Sequence, residues 1–102
     1  MLYILLMFDL PVLTSSQRRA YARFHKRLLR AGFSQLQKSI YIQHCDSREI
    51  ASTIQRRVIS FMPEEGSILL QPLPMQSIAM MRAWQDGKRT APVQVPERLL
   101  LA

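Results

Sequence analysis

The chain opens on an apolar run, Leu2-Tyr3-Ile4-Leu5-Leu6-Met7-Phe8, in which polar and apolar positions do not alternate. A strand with one wet face alternates. A short, uniformly apolar run reads instead as a central strand buried on both faces. Asp9 lies at its carboxyl end and Leu10-Pro11 breaks it. Thr14 and Gln17 then stand at capping-box spacing, so a helix is expected from about Ser15 to Ala31. Gly32 stops that helix, with Phe33 as the hydrophobic contact of a Schellman-type end. Phe33–Gln37 and Ile40–His44 are short alternating segments, either one kinked strand or two paired strands; the tight Gln37-Lys38-Ser39 link favours a bend or bulge over a full hairpin. Asp46 and Glu49 repeat the capping-box pattern ahead of a second helix, about Ser47 to Phe61. Its expected core face is Ile50, Ile54, Val58 and Phe61. Pro63 ends it and Glu64-Glu65-Gly66 turns the chain. Ser67–Leu73 reads as a further strand, with Pro72 and Pro74 marking its end or an edge position. Ser77–Trp84 fits a last strand or a short helix equally well.

The order is therefore β-α-β-β-α-β, an α+β ferredoxin-like arrangement with both helices on one face of an antiparallel sheet. That fold hosts many functions and argues for none. Residues 1–84 are expected to form the folded domain. From Gln85 the composition shifts: Asp86-Gly87-Lys88-Arg89-Thr90, Pro92 and Pro96 suggest a flexible or extended arm over residues 85–102. It finishes in Leu99-Leu100-Leu101, which would either dock on a partner or fray.

With 102 residues, 48% of them hydrophobic, the chain can bury a core without metals or disulfides. A single cysteine, Cys45, excludes an internal disulfide framework and argues against a cysteine-based zinc site. Its expected role is a small buried apolar residue. The opening run lacks a basic leader and is too short to span a bilayer, so a cytoplasmic protein without a membrane partner is expected.

Charge changes the picture. Lys and Arg number 14 against 7 Asp and Glu, a net charge of +7, which predicts attraction to polyanions. The cations are concentrated in the first helix. At about 100° per residue, Arg19, Arg23, Lys26, Arg27 and Arg30 fall in one narrow stripe, with Tyr21, Phe24 and Leu28 on the opposite side. The segment contains no Asp or Glu to neutralise the stripe by i,i+4 pairing. A mostly arginine stripe suits repeated phosphates better than an isolated carboxylate; the competing reading is an ordinary solvated face. Arg18 lies off the stripe, at the flank of the helix or toward Asp9. Lys38, at the bend, is a secondary candidate beside its reading as an exposed loop lysine. The aromatic residues Tyr3, Tyr21, Phe24, Phe33, Tyr41 and Phe61 read as core. They do not resemble the paired stacking aromatics of an RNA-recognition module.

Taken in order, Phe8-Asp9-Leu10-Pro11, Arg18-Arg19-x-Tyr21-x-x-Phe24, Gly32-Phe33 and Gln37-Lys38-Ser39-Ile40-Tyr41 resemble the Cas-two family. These are the smaller of the two universal CRISPR-associated adaptation proteins, and the form here is most like members from type II systems. The resemblance covers about the first 80 residues. It implies a ferredoxin-like homodimer whose carboxyl-terminal segment pairs with the sheet of the other subunit. It also implies a partner, the Cas-one integrase, with which the dimer captures a short prespacer duplex. Some members are described as metal-dependent nucleases acting on RNA or DNA, and Asp9 matches the family's proposed metal-binding carboxylate.

Asp9 is the sole acidic residue before Asp46. A carboxylate there either caps the turn at Leu10-Pro11 or ligates magnesium, which favours few carboxylates plus water and phosphate. One such group per chain is a poor hydrolytic site; two meeting across a two-fold axis make a better one. The basic stripe together with what the resemblance implies thus favours an architectural double-stranded-DNA-binding subunit of the spacer-acquisition complex, holding duplex through Arg18, Arg19, Arg23, Lys26, Arg27, Arg30 and Lys38. The alternative is a magnesium-dependent endonuclease using Asp9 as catalytic and metal-binding residue.

Overall fold

The computed structural model describes residues 1–91. Its elements are β1 (Leu2–Asp9), α1 (Ser15–Arg30), β2 (Ser34–Gln37), β3 (Ile40–Cys45), α2 (Arg48–Ser60), β4 (Ser67–Pro74), α3 (Met75–Ala79), β5 (Ala83–Gln85) and β6 (Lys88–Thr90). The first four strands form one antiparallel sheet in the order β2-β3-β1-β4. This is the ferredoxin-like arrangement. β1 is central, as its unbroken apolar run requires, and β4 is an edge strand, where Pro72 costs no ladder bond.

Each face of β1 feeds a different core. Ile4, Leu6 and Phe8 join Phe24 and Leu28 of α1, Tyr41 and Cys45 of β3, and Ala51 and Val58 of α2. Tyr3, on the opposite face, packs with Ile42 and Ile78, and Leu5, Leu36, Leu73, Met75 and Met81 lie against that cluster. The first core is stitched by aromatic contacts: Phe8 meets Phe24 edge-on at a centroid distance of 5.4 Å and stacks on Tyr41 at 5.7 Å. Tyr21 and Phe61 are partly buried at its margin.

The helix ends follow their local chemistry. The Thr14 side chain accepts from the Gln17 backbone N–H while the Gln17 side chain accepts from that of Thr14, a complete capping box. At the other end the Phe33 N–H donates to the Leu28 carbonyl and the Gly32 N–H to that of Leu29, the two bonds of a Schellman motif. Gly32 holds φ at +102° there.

Three local expectations differ from the structure. The cap of α2 is Ser47, one residue after Asp46; the Ser47 hydroxyl accepts from the Ile50 N–H. The core face of α2 is correspondingly carried by Ala51, Ile54, Val58 and Phe61, and Ile50 is turned outward. The small Ala51 lets the helix lie close to the sheet, a preference that hydropathy alone does not reveal. Residues 34–45 form a hairpin of two paired strands rather than a bend, with the irregularity confined to a register shift between Gln35 and Gln37.

The stretch after β4 is a short helix followed by the first strand of a second hairpin. Asp86 and Gly87 carry φ of +52° and +78° at its turn, as a two-residue Asp-Gly loop requires. This hairpin crosses the Trp84–Gln85 boundary that composition suggested between domain and arm. The apolar trio Leu99-Leu100-Leu101 lies outside the described residues. No helix among the described residues is long and apolar enough to cross a membrane.

Cys45 is 1% exposed. Burial, and secondarily the Asp46 carboxylate, push its thiol above the ordinary value. A disfavoured thiolate is a poor nucleophile. Alkylation of native protein by iodoacetamide at neutral pH should therefore be slow and accelerate only as the chain unfolds in denaturant. Rapid labelling of native protein would show that this edge of the core opens locally.

Candidate functional site

The antiparallel registers bring distant residues to the carboxyl end of β1. Asp9 pairs with Ser67 at the start of β4. On the other side the Phe8 N–H donates to the Ser39 carbonyl, which brings the Lys38–Ser39 turn of the β2–β3 hairpin beside the end of β1. The Lys38 carbonyl is held from two directions, by the Tyr21 hydroxyl at 3.1 Å and the Gln35 side-chain amide at 3.2 Å. Its side chain is exposed, as is that of Asp9. Neither makes an ion pair among the described residues, where the one such contact is His44 Nδ1 with Asp46 at 3.8 Å.

The loop after Asp9 is also braced. Arg18 Nη1 donates to the carbonyls of Val12 and Leu13 at 3.2 and 3.1 Å. Of the cations singled out by the sequence, Arg18 is thus partly committed to the protein's own backbone. On the other side of Asp9, Gly66 has φ of +94°, and a Cβ there would sit 2.5 Å from the Asp9 carbonyl oxygen and 2.6 Å from Leu10 Cδ2. The turn before β4 can approach Asp9 only because residue 66 has no side chain. The Glu64-Glu65-Gly66 triplet signals a turn, but this steric role needs the pairing of β1 with β4 and is invisible in one segment.

Arg19, Arg23, Lys26, Arg27 and Arg30 are all exposed on α1, and Phe24 and Leu28 are buried on its other side. No acidic side chain pairs with the stripe among the described residues. Arg23 and Arg27 also form one wall of a cleft of about 370 Å³ between α1 and the turn before β4; Glu64 and Glu65 line its other side.

Among the described residues no three His, Cys, Asp or Glu side chains gather to hold a metal. One chain therefore offers Asp9 alone. An exposed carboxylate without a protein partner, on a rigid central strand, fits the sparse ligation that magnesium prefers, provided that a second carboxylate and phosphate oxygens complete the shell. Neither histidine is placed to help. His25 Nδ1 is hydrogen-bonded to the Tyr41 hydroxyl within 2.5 Å. His44 pairs with Tyr3 near the opposite end of β1, about 20 Å of strand from Asp9.

A ferredoxin-like sheet with an exposed aspartate at the end of its central strand and a basic first helix defines a small α+β protein with a surface suited to polyanions. The family model described as CRISPR associated protein Cas2 matches residues 1–81, and the chain belongs to that family. It is 42% identical over 89 residues to the CRISPR-associated endoribonuclease Cas2 2 of Rhodospirillum rubrum, covering 87% of this chain and 80% of that one. It is 34% identical to the CRISPR-associated endoribonuclease Cas2 of Parvibaculum lavamentivorans, over 98% and 99% of the two chains. The crystal structure of Streptococcus pyogenes Cas2 at pH 6.5 superposes with a TM-score of 0.63 at 17% identity, over 81% of this chain and 99% of that one, a likeness of fold.

These relatives correct the main functional expectation. Their shared name is endoribonuclease, which favours the nuclease alternative over a purely architectural double-stranded-DNA subunit. The physical reason for the misreading is plain. A cationic helix face attracts phosphates in general, and RNA and DNA share them, so the stripe by itself never distinguished a scaffold from a substrate track.

Proposed function

We propose that the chain is a magnesium-dependent endoribonuclease acting in the cytoplasm as a homodimer, with Asp9 of each copy contributing to one shared metal site. The observation that carries this reading is the exposed, unpaired Asp9 carboxylate at the end of the central strand, in a chain whose relatives are named endoribonucleases. Two such carboxylates brought together would repel, and a cation between them relieves that repulsion. When bound, magnesium would supply charge stabilisation at the scissile phosphate and an acidified water.

The chain's own residues then have separable roles. Asp9 holds the metal, and Lys38, in the turn beside the end of β1, neutralises a nearby phosphate. Arg19, Lys26 and Arg30 guide the RNA backbone without reading its sequence, Arg23 and Arg27 carry the same cationic face into the cleft lined by Glu64 and Glu65, and Arg18 keeps the Val12–Leu13 loop in place beside Asp9. The family's place in CRISPR adaptation supports the Cas-one integrase as a second partner of the dimer.

The direct test is cleavage of a labelled single-stranded RNA by full-length protein in magnesium and in excess chelator. Cleavage that requires the metal and is restored by adding it back is expected; chelator-resistant cleavage, or none in either condition, would overturn the proposal. Binding to uncleavable RNA should weaken linearly in log–log salt titration. Replacing Lys26 by Gln should shallow the slope by about 0.7, the single-strand value per phosphate. An unchanged slope would remove Lys26 from the track.

A further inference from the structure

The cleft between α1 and the turn before β4 has a polarity that backbone tracking does not need. A groove that only follows phosphates has cationic walls throughout. Here Arg23 and Arg27 stand on one side and two carboxylates, Glu64 and Glu65, on the other, with Phe24 and Phe61 among the lining residues. Their rings lie 5.8 Å apart.

Glu65 is also held in place. The Gln17 side-chain oxygen accepts from the backbone N–H groups of Leu13 and Thr14 at 2.9 and 3.0 Å. That fixes the orientation of the carboxamide, and its Nε2 then donates to Glu65 Oε2 at 3.0 Å. The capping box of α1 thus aims a carboxylate that is distant in sequence, leaving its other oxygen free to accept.

Few partners match carboxylates on one side of a cleft and guanidinium groups on the other. Guanine presents two adjacent donors, N1–H and N2–H, along one edge, and two acceptors, O6 and N7, along another; arginine to O6 and N7 is the commonest base-specific pairing. Adenine would turn its N1 acceptor toward the carboxylate, and uracil flanks its single N–H with two carbonyl oxygens. In both, one edge of the base meets a partner of the wrong polarity. A cleft of about 370 Å³ lies at the lower end of the range for small-molecule sites, as suits one base with its sugar. Its position agrees: Glu65 is two residues before Ser67, the partner of Asp9, and Leu10, next to Asp9, lines the same cleft.

We propose that this cleft is a guanine subsite, in which Glu65 with Glu64 accepts from the base N1–H and N2–H while Arg23 and Arg27 donate to O6 and N7. As a determinant of where RNA is cut, it rests on the endoribonuclease reading; as a binding site it does not. Gln17 is a positioning residue for Glu65.

The experiment compares binding of GMP, AMP, UMP and CMP to full-length protein in chelator, by calorimetry and by NMR shifts of the cleft residues. The phosphate is common to all four, so differences report the base. GMP is expected to bind about tenfold more tightly than the others. The Glu64→Gln/Glu65→Gln double variant should equalise the four while keeping its circular dichroism spectrum and melting temperature. Equal affinities in the wild type, or a guanine preference that survives in the double variant, would overturn the subsite. A guanine preference without any RNA cleavage would leave the subsite standing and remove the nuclease reading. Cleavage of RNA without base preference in either assay would do the reverse.

Discussion

Asp9→Asn should lower magnesium-dependent RNA cleavage by about 10²–10³-fold, the size of effect seen when one preorganised electrostatic contact to a transition state is removed. RNA affinity in chelator should be nearly unchanged, because the cations of the proposed RNA track, exposed on α1 and at Lys38, are left intact. Folding should be unaffected as well: the Asp9 side chain is exposed and makes no ion pair among the described residues. In the proposed dimer, stability in the absence of metal should if anything rise, since two facing like charges are removed. The diagnostic is therefore a split result, with catalysis lost and binding, dimer and melting temperature kept. Charge reversals of Arg19, Arg23 and Arg27 should give the opposite split, weakening RNA binding first. If Asp9→Asn cleaves RNA as well as wild type, the carboxylate is a turn cap and the metal site must be sought elsewhere.

The largest structural effect is expected at Gly66. Gly66→Ala must adopt φ of +94° and place its Cβ 2.5 Å from the Asp9 carbonyl oxygen. That oxygen is backbone in the central strand, so it cannot swing aside as the end of a flexible side chain can. Left-handed strain together with overpacking is expected to cost about 3 kcal/mol, a fall in melting temperature of about 15 °C for a domain of this size. Gly87 provides the control. Its φ of +78° is also positive, but nothing lies within 4 Å of a Cβ there. Gly87→Ala should cost about 1 kcal/mol from backbone strain alone. Because Gly66 abuts Asp9, Gly66→Ala should also lower cleavage below the level that its folded fraction explains, whereas Gly87→Ala should not. Equal melting temperatures for the two variants would mean that the turn before β4 relaxes away from β1 at little cost.

The local signals with the clearest physics were legible in the amino-acid order. The unbroken apolar run of β1 announced a strand covered on both sides, because a half-exposed strand would waste hydrophobic residues on water. Thr14 with Gln17 and Gly32 with Phe33 marked both ends of α1, since a helix terminus must satisfy its orphan N–H and C=O groups within a few residues. The exposed arginines of α1 followed from the 100° step of the helix. Asp9 stood out as a lone acid where an apolar run stops. Where sequence reasoning slipped, adjacent choices were nearly degenerate: Asp46 and Ser47 are both good caps, and Ile50 or Ala51 could each start the core face of α2.

By itself, then, the sequence determined the order of the elements, the central place of β1, the basic surface of α1 and the position of Asp9 at a strand end. All of these depend on interactions between residues a few positions apart. Tertiary structure alone decided the rest: that Ser67 pairs with Asp9, that Gly66 must lack a side chain, and that Gln17 aims Glu65 across 48 residues. These depend on strand register and on the approach of one element to another. A one-residue slip would turn every side chain of a strand to its other face, and only the packed core selects one register.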